Sequence, residues 1–143
     1  MMEIIKFNYF NNNLMSKAHK IRHEVFVIGQ NCPEELEWEY EEDSTHFILF
    51  DSSIPKATAR YRITSKGYKL ERFAVLESER GKGFGKKILK FILSDLSEFN
   101  GLIYLHAQVD VIPFYEKIGF IKEGNQFEEA GIQHYKMYLS KNL

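Results

Sequence analysis

The sequence predicts a mixed α/β domain built around one central sheet. Three observations carry that expectation. Short segments of alternating apolar and polar residues are interleaved with segments in which apolar residues recur at helical spacing. Their order is strand, helix, three strands, helix, strand, helix, two strands, which suits a sheet covered by helices. A glycine-rich turn also joins a strand directly to the longest amphipathic helix. At 143 residues the chain fits a single domain, 1–143, and 44% hydrophobic with 15% aromatic residues supplies a core and excludes disorder.

Glu3 to Tyr9 alternates and reads as the first strand. "NNN" at 11–13 offers helix N-caps, and Leu14, Ala18, Ile21, Val25 and Ile28 then mark an amphipathic helix over 13–28, ended by "GQNCP". The acidic stretch "EELEWEYEED" (34–43) reads as a loop or irregular helix. "THFILF" (45–50) and "KATARYRIT" (56–64) are strands joined by the turn-rich "DSSIP". Lys66-Gly67 turns the chain into a further strand, "YKLERFAVL" (68–76). After the glycine stretch, a helix runs to about Phe99. Its apolar face is Phe84, Ile88, Phe91, Ile92, Leu96 and Phe99, widened by Leu89 and Leu93, as a helix lying on a sheet requires. "NGLIYLHAQ" (100–108) turns and continues as a strand. "VIPFYEKIGF" is a short helix closed by Gly119. Phe120-Ile121 opens another strand, and "IQHYKMYLS" (132–140) completes the sheet.

Charge and composition exclude several classes. Net charge is −1, so the chain as a whole is no strongly basic nucleic-acid binder. The single cysteine, Cys32, cannot form a disulfide within the chain, which favours a reducing compartment. Apolar runs fall far short of the roughly 20 residues that a membrane helix needs, and "MMEIIKFNYF" lacks the zones of a signal peptide. A cytoplasmic protein with no membrane and no nucleic-acid partner is expected. Glu42, Asp43 and His46 are too loosely spaced for a metal site, so none is expected.

Charge is nevertheless segregated. Residues 34–43 hold seven acids and no Lys or Arg, whereas 80–90 hold five Lys/Arg and no acid. The basic segment, "ESERGKGFGKKILKFIL" (77–93), opens a helix with three glycines. The first turn of a helix has unpaired N–H groups and partial positive charge, and glycines let a ligand approach that backbone. The combination suits phosphate. The spacing is one residue short of a P-loop, with Lys87 where a Mg²⁺-binding hydroxyl belongs. It also fails the dinucleotide fingerprint, with Lys86 at the third glycine position. It does fit [RQ]-x-x-G-x-[GA], through Arg80, Gly83 and Gly85.

With "LERFAVLESERGKGFGKKIL" and, one strand later, "FYEKIGF" (114–120), the chain resembles the GNAT superfamily of acyl-CoA-dependent N-acetyltransferases over nearly its whole length. "RHEVFVIGQNCPEELEWEYEEDSTHF", "LHAQ" and "FEEAGIQHYKM" are most similar to its ElaA-like branch, which commonly reads Glu-Gln after "VFV" where this chain has Gly29-Gln30. The resemblance implies the GNAT fold: a mostly antiparallel mixed sheet flanked by helices and splayed where acetyl-CoA, the cosubstrate, binds. It implies that the backbone from Arg80 through Gly81, Lys82, Gly83, Phe84 and Gly85 to Lys86 wraps the pyrophosphate. Pantetheine would pair with main chain near Phe73, Ala74 and Val75, with Phe114 and Tyr115 along its arm. Homodimers are common in such a family.

Acetyl transfer to an amine needs a neutral nitrogen, a polarised thioester and a proton for the departing thiolate. From its place in the motif, Tyr115 is the expected proton donor. The base stays open between His134, His106 and Glu71, or a water relay. His106 and Gln108 share a strand face, and His134 begins the last strand. The acidic stretch, with Trp38 and Tyr40, could steer a cationic amine. Cys32 has no motif around it that would support a nucleophile. The function expected is transfer of an acetyl group from acetyl-CoA to a primary amine of a small molecule or exposed protein amine, directly within a ternary complex. The alternative is a catalytically silent acyl-CoA-binding sensor or partner module.

Overall fold

The computed structural model describes residues 1–32 and 39–140. Among them seven strands form one sheet: β1 (Met2–Asn8), β2 (Ser44–Asp51), β3 (Ile54–Thr64), β4 (Gly67–Val75), β5 (Ile103–Gln108), β6 (Phe120–Glu129) and β7 (Ile132–Leu139). Their spatial order is β1-β2-β3-β4-β5-β7-β6, antiparallel throughout except for β4 against β5. The helices are α1 (Asn12–Arg22), α2 (Phe84–Asp95) and α3 (Ile112–Glu116). No helix among the described residues is long and apolar enough to cross a membrane.

The expected element order holds, and local chemistry explains the ends. Asn11 caps α1 through its side chain, which accepts from the Leu14 amide at 3.1 Å. The β2–β3 turn places Ser52 and Ser53 at φ 53° and 67°, the left-handed pair that matches strand twist in a two-residue hairpin. Two helices differ from expectation. The first does not run as α-helix to Ile28: from His23 to Ile28 it widens to a π-helical turn, with the Gly29 amide bonding the Glu24 carbonyl at 3.0 Å. The wider turn rotates the apolar stripe, so Val25 is buried whereas Ile28 is exposed. The long helix stops at Asp95 rather than near Phe99, because tight turns at Leu96–Phe99 fold Phe99 back onto Tyr68, ring centroids 4.5 Å apart.

Two cores lie on opposite faces of the sheet. Phe84, Ile88, Leu89 and Ile92 of α2 pack on Phe47, Leu49, Ala59, Leu70 and Leu105. Met15, Ala18 and Ile21 of α1 pack on Phe7, Ile48 and Ala74. The sheet is interrupted in its middle. β4 and β5 pair only from Tyr68↔Ile103 to Leu70↔Leu105. Just beyond, the β3–β4 register slips between Arg60↔Glu71 and Thr58↔Ala74, and Arg72 takes φ 60°. This bulge bends β4 away. From Glu71 to Val75 on one side and from His106 to Gln108 on the other, the two strands have no partner in each other, and a splay opens.

Candidate active site

The glycine loop sits at the mouth of that splay. After β4, residues Glu77–Glu79 make one tight turn, and Gly81 and Gly83 then take φ 83° and 82°. An L side chain is strained at that angle, and a Cβ at either position would meet no atom within 4 Å. Backbone angle therefore requires both glycines, and the space over them is open. No side chain caps α2, whose first bond runs from the Lys87 amide to the Gly83 carbonyl at 3.1 Å. The preceding amides keep the unpaired donors of a helix N-terminus. The loop is braced from behind. Arg80 Nε donates to the Val75 carbonyl at 3.1 Å, and Glu79 pairs with Lys56 and Lys82 at 3.2 and 2.9 Å. Lys82 thus holds the loop's own carboxylate.

Aromatic rings line the splay on the α2 side. Tyr115 of α3 stands 6.1 Å from Phe73 of β4, 5.1 Å from Phe114 and 5.9 Å from Phe120, centroid to centroid. Burial pushes the Tyr115 hydroxyl pKa well above the usual phenol value, so it stays protonated. It makes no hydrogen bond among the described residues. The bulge puts Phe73 here: by adding one residue at Arg72 it returns Phe73 to the α2 face and Ala74 to the α1 face.

The α1 side of the splay is polar. His106 and Gln108 lie opposite Lys136 and His134 across the β5–β7 pair. Gln108 exchanges side-chain hydrogen bonds with Gln30 at 3.1 and 3.2 Å, which joins β5 to the segment after the π-helical turn. Glu129, at the tip of the β6–β7 hairpin, accepts from His106 Nδ1 at 3.1 Å, and its other oxygen lies 3.9 Å from His134 Nε2. Phe127 stacks on His134 and meets His106 edge-on. The hydrogen bond from His106 holds the Glu129 carboxyl below its ordinary pKa against the opposing effect of burial. His134 Nδ1 lies 2.7 Å from the Ile132 carbonyl. A carbonyl only accepts, so Nδ1 donates there, and Nε2 is the nitrogen turned towards Glu129.

Glu71 is differently placed from the two histidines. It receives Arg60 Nη2 and Arg62 Nε, both at 2.8 Å, and Lys69 Nζ at 3.3 Å. Burial opposes its ionisation, but Arg60, Lys69 and Arg62 outweigh that and hold its pKa at about 2. A carboxylate so committed is a poor proton acceptor. It anchors β4 to β3 beside the bulge.

The acidic stretch is also divided. Glu41 is buried, paired with Arg22, Arg60 and His19. Tyr40 packs under the Arg62 guanidinium, 3.9 Å from its ring centroid. Glu42 and Asp43 line an open depression of about 670 Å³ with Tyr9, His19 and Tyr40. Trp38 lies outside the described residues. Sequence reasoning missed Glu129, Phe127 and the Gln30–Gln108 link. Each depends on β7 lying between β5 and β6, and local periodicity carries no trace of that order.

Comparison with known proteins agrees with this architecture. The family model for the acetyltransferase (GNAT) domain matches residues 13–141. The uncharacterized N-acetyltransferase YjcF of Bacillus subtilis is 37% identical over 131 residues, 89% of this chain and 93% of that protein. Among solved structures, Escherichia coli ElaA superposes with a TM-score of 0.87 over 98% of this chain and 100% of its own, at 24% identity. PaiA N-acetyltransferase of Thermoplasma acidophilum, solved in complex with coenzyme A, gives a TM-score of 0.69 at 15% identity over 97% and 98% of the two chains. At these identities the two structures speak for the fold.

Proposed function

The chain belongs to the GNAT acetyltransferase family, and from that premise we propose that it is an acetyl-CoA-dependent N-acetyltransferase acting on a primary amine, by direct transfer within a ternary complex. One observation carries the reading: the gap between β4 and β5 has a glycine-opened helix N-terminus at its mouth and a protonated, unengaged tyrosine hydroxyl in its wall. The fit to acetyl-CoA rests on the same features. Open space over Gly81 and Gly83 admits a pyrophosphate to the backbone, and the unpaired edge of β4 admits an extended arm. The coenzyme A bound to the Thermoplasma protein of the same fold supports this choice of cosubstrate.

The ligand supplies a thioester as acyl donor. Amides from Gly81 to Lys86 bind its pyrophosphate, since the expected Arg80 amide is taken by the Glu77 carbonyl at 3.3 Å. The free edge at Phe73, Ala74 and Val75 holds the arm, and a main-chain N–H there polarises the carbonyl. His134 or His106 takes the amine proton on the α1 side. As the C–N bond forms and the C–S bond breaks, the Tyr115 hydroxyl gives its proton to the thiolate from the α2 side. The acceptor is a small-molecule amine or an exposed protein amine that enters on the α1 face.

Release of free thiol from acetyl-CoA over a panel of polyamines, amino-acid amides and peptides tests the proposal. Intersecting initial-rate lines are expected, and parallel lines would exclude direct transfer. Binding of acetyl-CoA with no release on any amine would turn the reading to a silent acyl-CoA sensor. Tyr115→Phe leaves the ring packing intact and should lower kcat by about 100-fold, at the low end of general-acid effects, with acetyl-CoA affinity unchanged. Wild-type turnover across pH would remove Tyr115 from the chemistry.

A further inference from the structure

The tip of the β6–β7 hairpin carries a carboxylate whose partners set it apart. Among the described residues, Glu41, Glu71, Glu79 and Glu123 each pair with Lys or Arg. Glu129 pairs with neither; its partners are His106 and His134. A two-residue turn, with Ala130 at φ 52° and Gly131 at φ 80°, fixes Glu129 opposite Ile132. The hydrogen bond from His106 engages Oε1, and Oε2 lies towards His134. Phe127 packs on both imidazole rings, and Lys69 adds positive potential from β4. The three polar side chains form a gradient of depth: Glu129 is 44% exposed, His106 25% and His134 8%. The 3.9 Å between Glu129 Oε2 and His134 Nε2 is too long for a hydrogen bond. One nitrogen about 2.8 Å from each atom bridges it.

We propose that Glu129 selects the acceptor by binding it through Oε2 as an alkylammonium ion, which then gives its proton to His134 Nε2. The inference rests on the acetyl-CoA reading and narrows its substrate class. In the neutral His134 ring, with Nδ1 donating to the Ile132 carbonyl, Nε2 is the acceptor. One N–H bond of the ammonium breaks and one forms on Nε2. The nitrogen lone pair is then released for attack on the thioester, and the new imidazolium stands beside the same carboxylate. One positive charge faces one negative charge before and after, so the transfer separates no charge. An alkylamine, with a pKa of about 10, arrives charged at neutral pH and is captured. A weakly basic arylamine arrives neutral and gains nothing from Glu129. His106 is the positioning residue here, since its bond to Oε1 directs Oε2 inward.

The test titrates n-butylammonium and its neutral analogue n-butanol into protein saturated with coenzyme A, which cannot turn over, and follows the imidazole nitrogen resonances of His134 and His106. The wild type should bind n-butylammonium at least about tenfold more tightly than n-butanol, the scale of one charge-assisted hydrogen bond. Glu129→Gln should erase that preference. Glu128→Gln removes the same charge from the next residue, which alternation places on the opposite face, and should keep it. Melting temperatures verify folding, and the comparison of ammonium with alcohol in the wild type decides even if a variant fails to fold. Equal wild-type affinity for the two compounds, no binding of n-butylammonium, or a preference that survives Glu129→Gln overturns the role of Glu129 while the cofactor reading stands. If coenzyme A itself does not bind the wild type, the cofactor reading fails and this inference falls with it.

Discussion

At the residue scale, Tyr115 and the two histidines stand on opposite faces of the sheet, so the proposed proton donor and acceptors are separated by its thickness. Tyr115 needs no partner to stay protonated, because burial alone opposes its ionisation. The acceptor side is a cluster, and hydrogen bonds distinguish its two histidines. His134 is buried, with Nδ1 fixed by a main-chain carbonyl, so the direction of Nε2 is set by the backbone. His106 is fixed by Glu129, a carboxylate on a hairpin tip. Rigid orientation favours proton transfer, so His134→Asn is expected to lower kcat by about 100-fold, at the low end of general-base effects, with KM for the amine little changed. His106→Asn should keep kcat and mainly raise KM for the amine. The reverse pattern would exchange the two roles, and kcat kept in both variants would leave a water relay as the base. The motif singles out Tyr115 in the sequence, and its ring lies between Phe73 and Phe114 in the wall of the splay. Glu129 was not legible, because one acid among "FEEAG" has no local mark until β7 brings His134 beside β5.

At the element scale, one extra residue in β4 lies where the β4–β5 pairing ends. Arg72 stands at φ 60° in a strand, outside the conformation that its neighbours share. Because the bulge adds one residue, deleting Arg72 leaves Phe73, Ala74 and Val75 on their present faces while restoring a regular strand. The deletion variant is expected to fold, to protect β5 amides beyond Leu105 against hydrogen exchange, and to lose acetyl-CoA affinity by about 100-fold, the effect of closing a preformed site. A variant that binds normally would show that the splay does not depend on the bulge. The elements themselves were legible wherever period decides: alternation in the strands, the α2 stripe, Asn11 as cap, and serines in the first hairpin. Three features were not. The π-helical turn after Arg22 keeps the apolar spacing of an α-helix up to Val25. The end of α2 depends on Phe99 finding Tyr68. The insertion of β7 between β5 and β6 is a non-local pairing, which no window of sequence contains.

At the scale of the whole molecule, each sheet face buries an apolar core, the α1 face adds a buried ionic network, and acid acts on that network. The α2 face is an apolar core. The α1 face carries a buried ionic network in which Glu41 binds Arg22, Arg60 and His19, and Glu71 binds Arg60, Arg62 and Lys69. Among the described residues of the acidic segment, Glu41 is thus a structural carboxylate inside the fold. Burial opposes ionisation of Glu41, but His19, Arg22 and Arg60 outweigh it and hold its pKa at about 2, as for Glu71. His46, stacked on Phe7 and donating from Nε2 to the Glu41 carbonyl, is pushed the other way: burial lowers it to about 4. The unfolded chain takes up a proton on His46 below about pH 6.5, whereas the folded chain waits until about 4. Stability from this residue is complete above pH 6.5 and lost as pH falls towards 4. The two glutamates are protonated near 4.5 when unfolded and near 2 when folded, so their contribution is lost between 4.5 and 2. Each group changes stability by up to about 1.4 kcal/mol per pH unit within its window. Together they can remove several kcal/mol from a fold whose total is on the order of 5–15 kcal/mol. Urea unfolding between pH 8 and 3 should therefore show constant stability down to about 6.5, a decline below it, and a steeper decline below 4.5. His46→Gln keeps a donor to the Glu41 carbonyl but cannot titrate, so it should flatten the interval from 6.5 to 4.5 and leave the lower decline in place. An unchanged slope in that interval would mean that another group, not His46, carries the first loss.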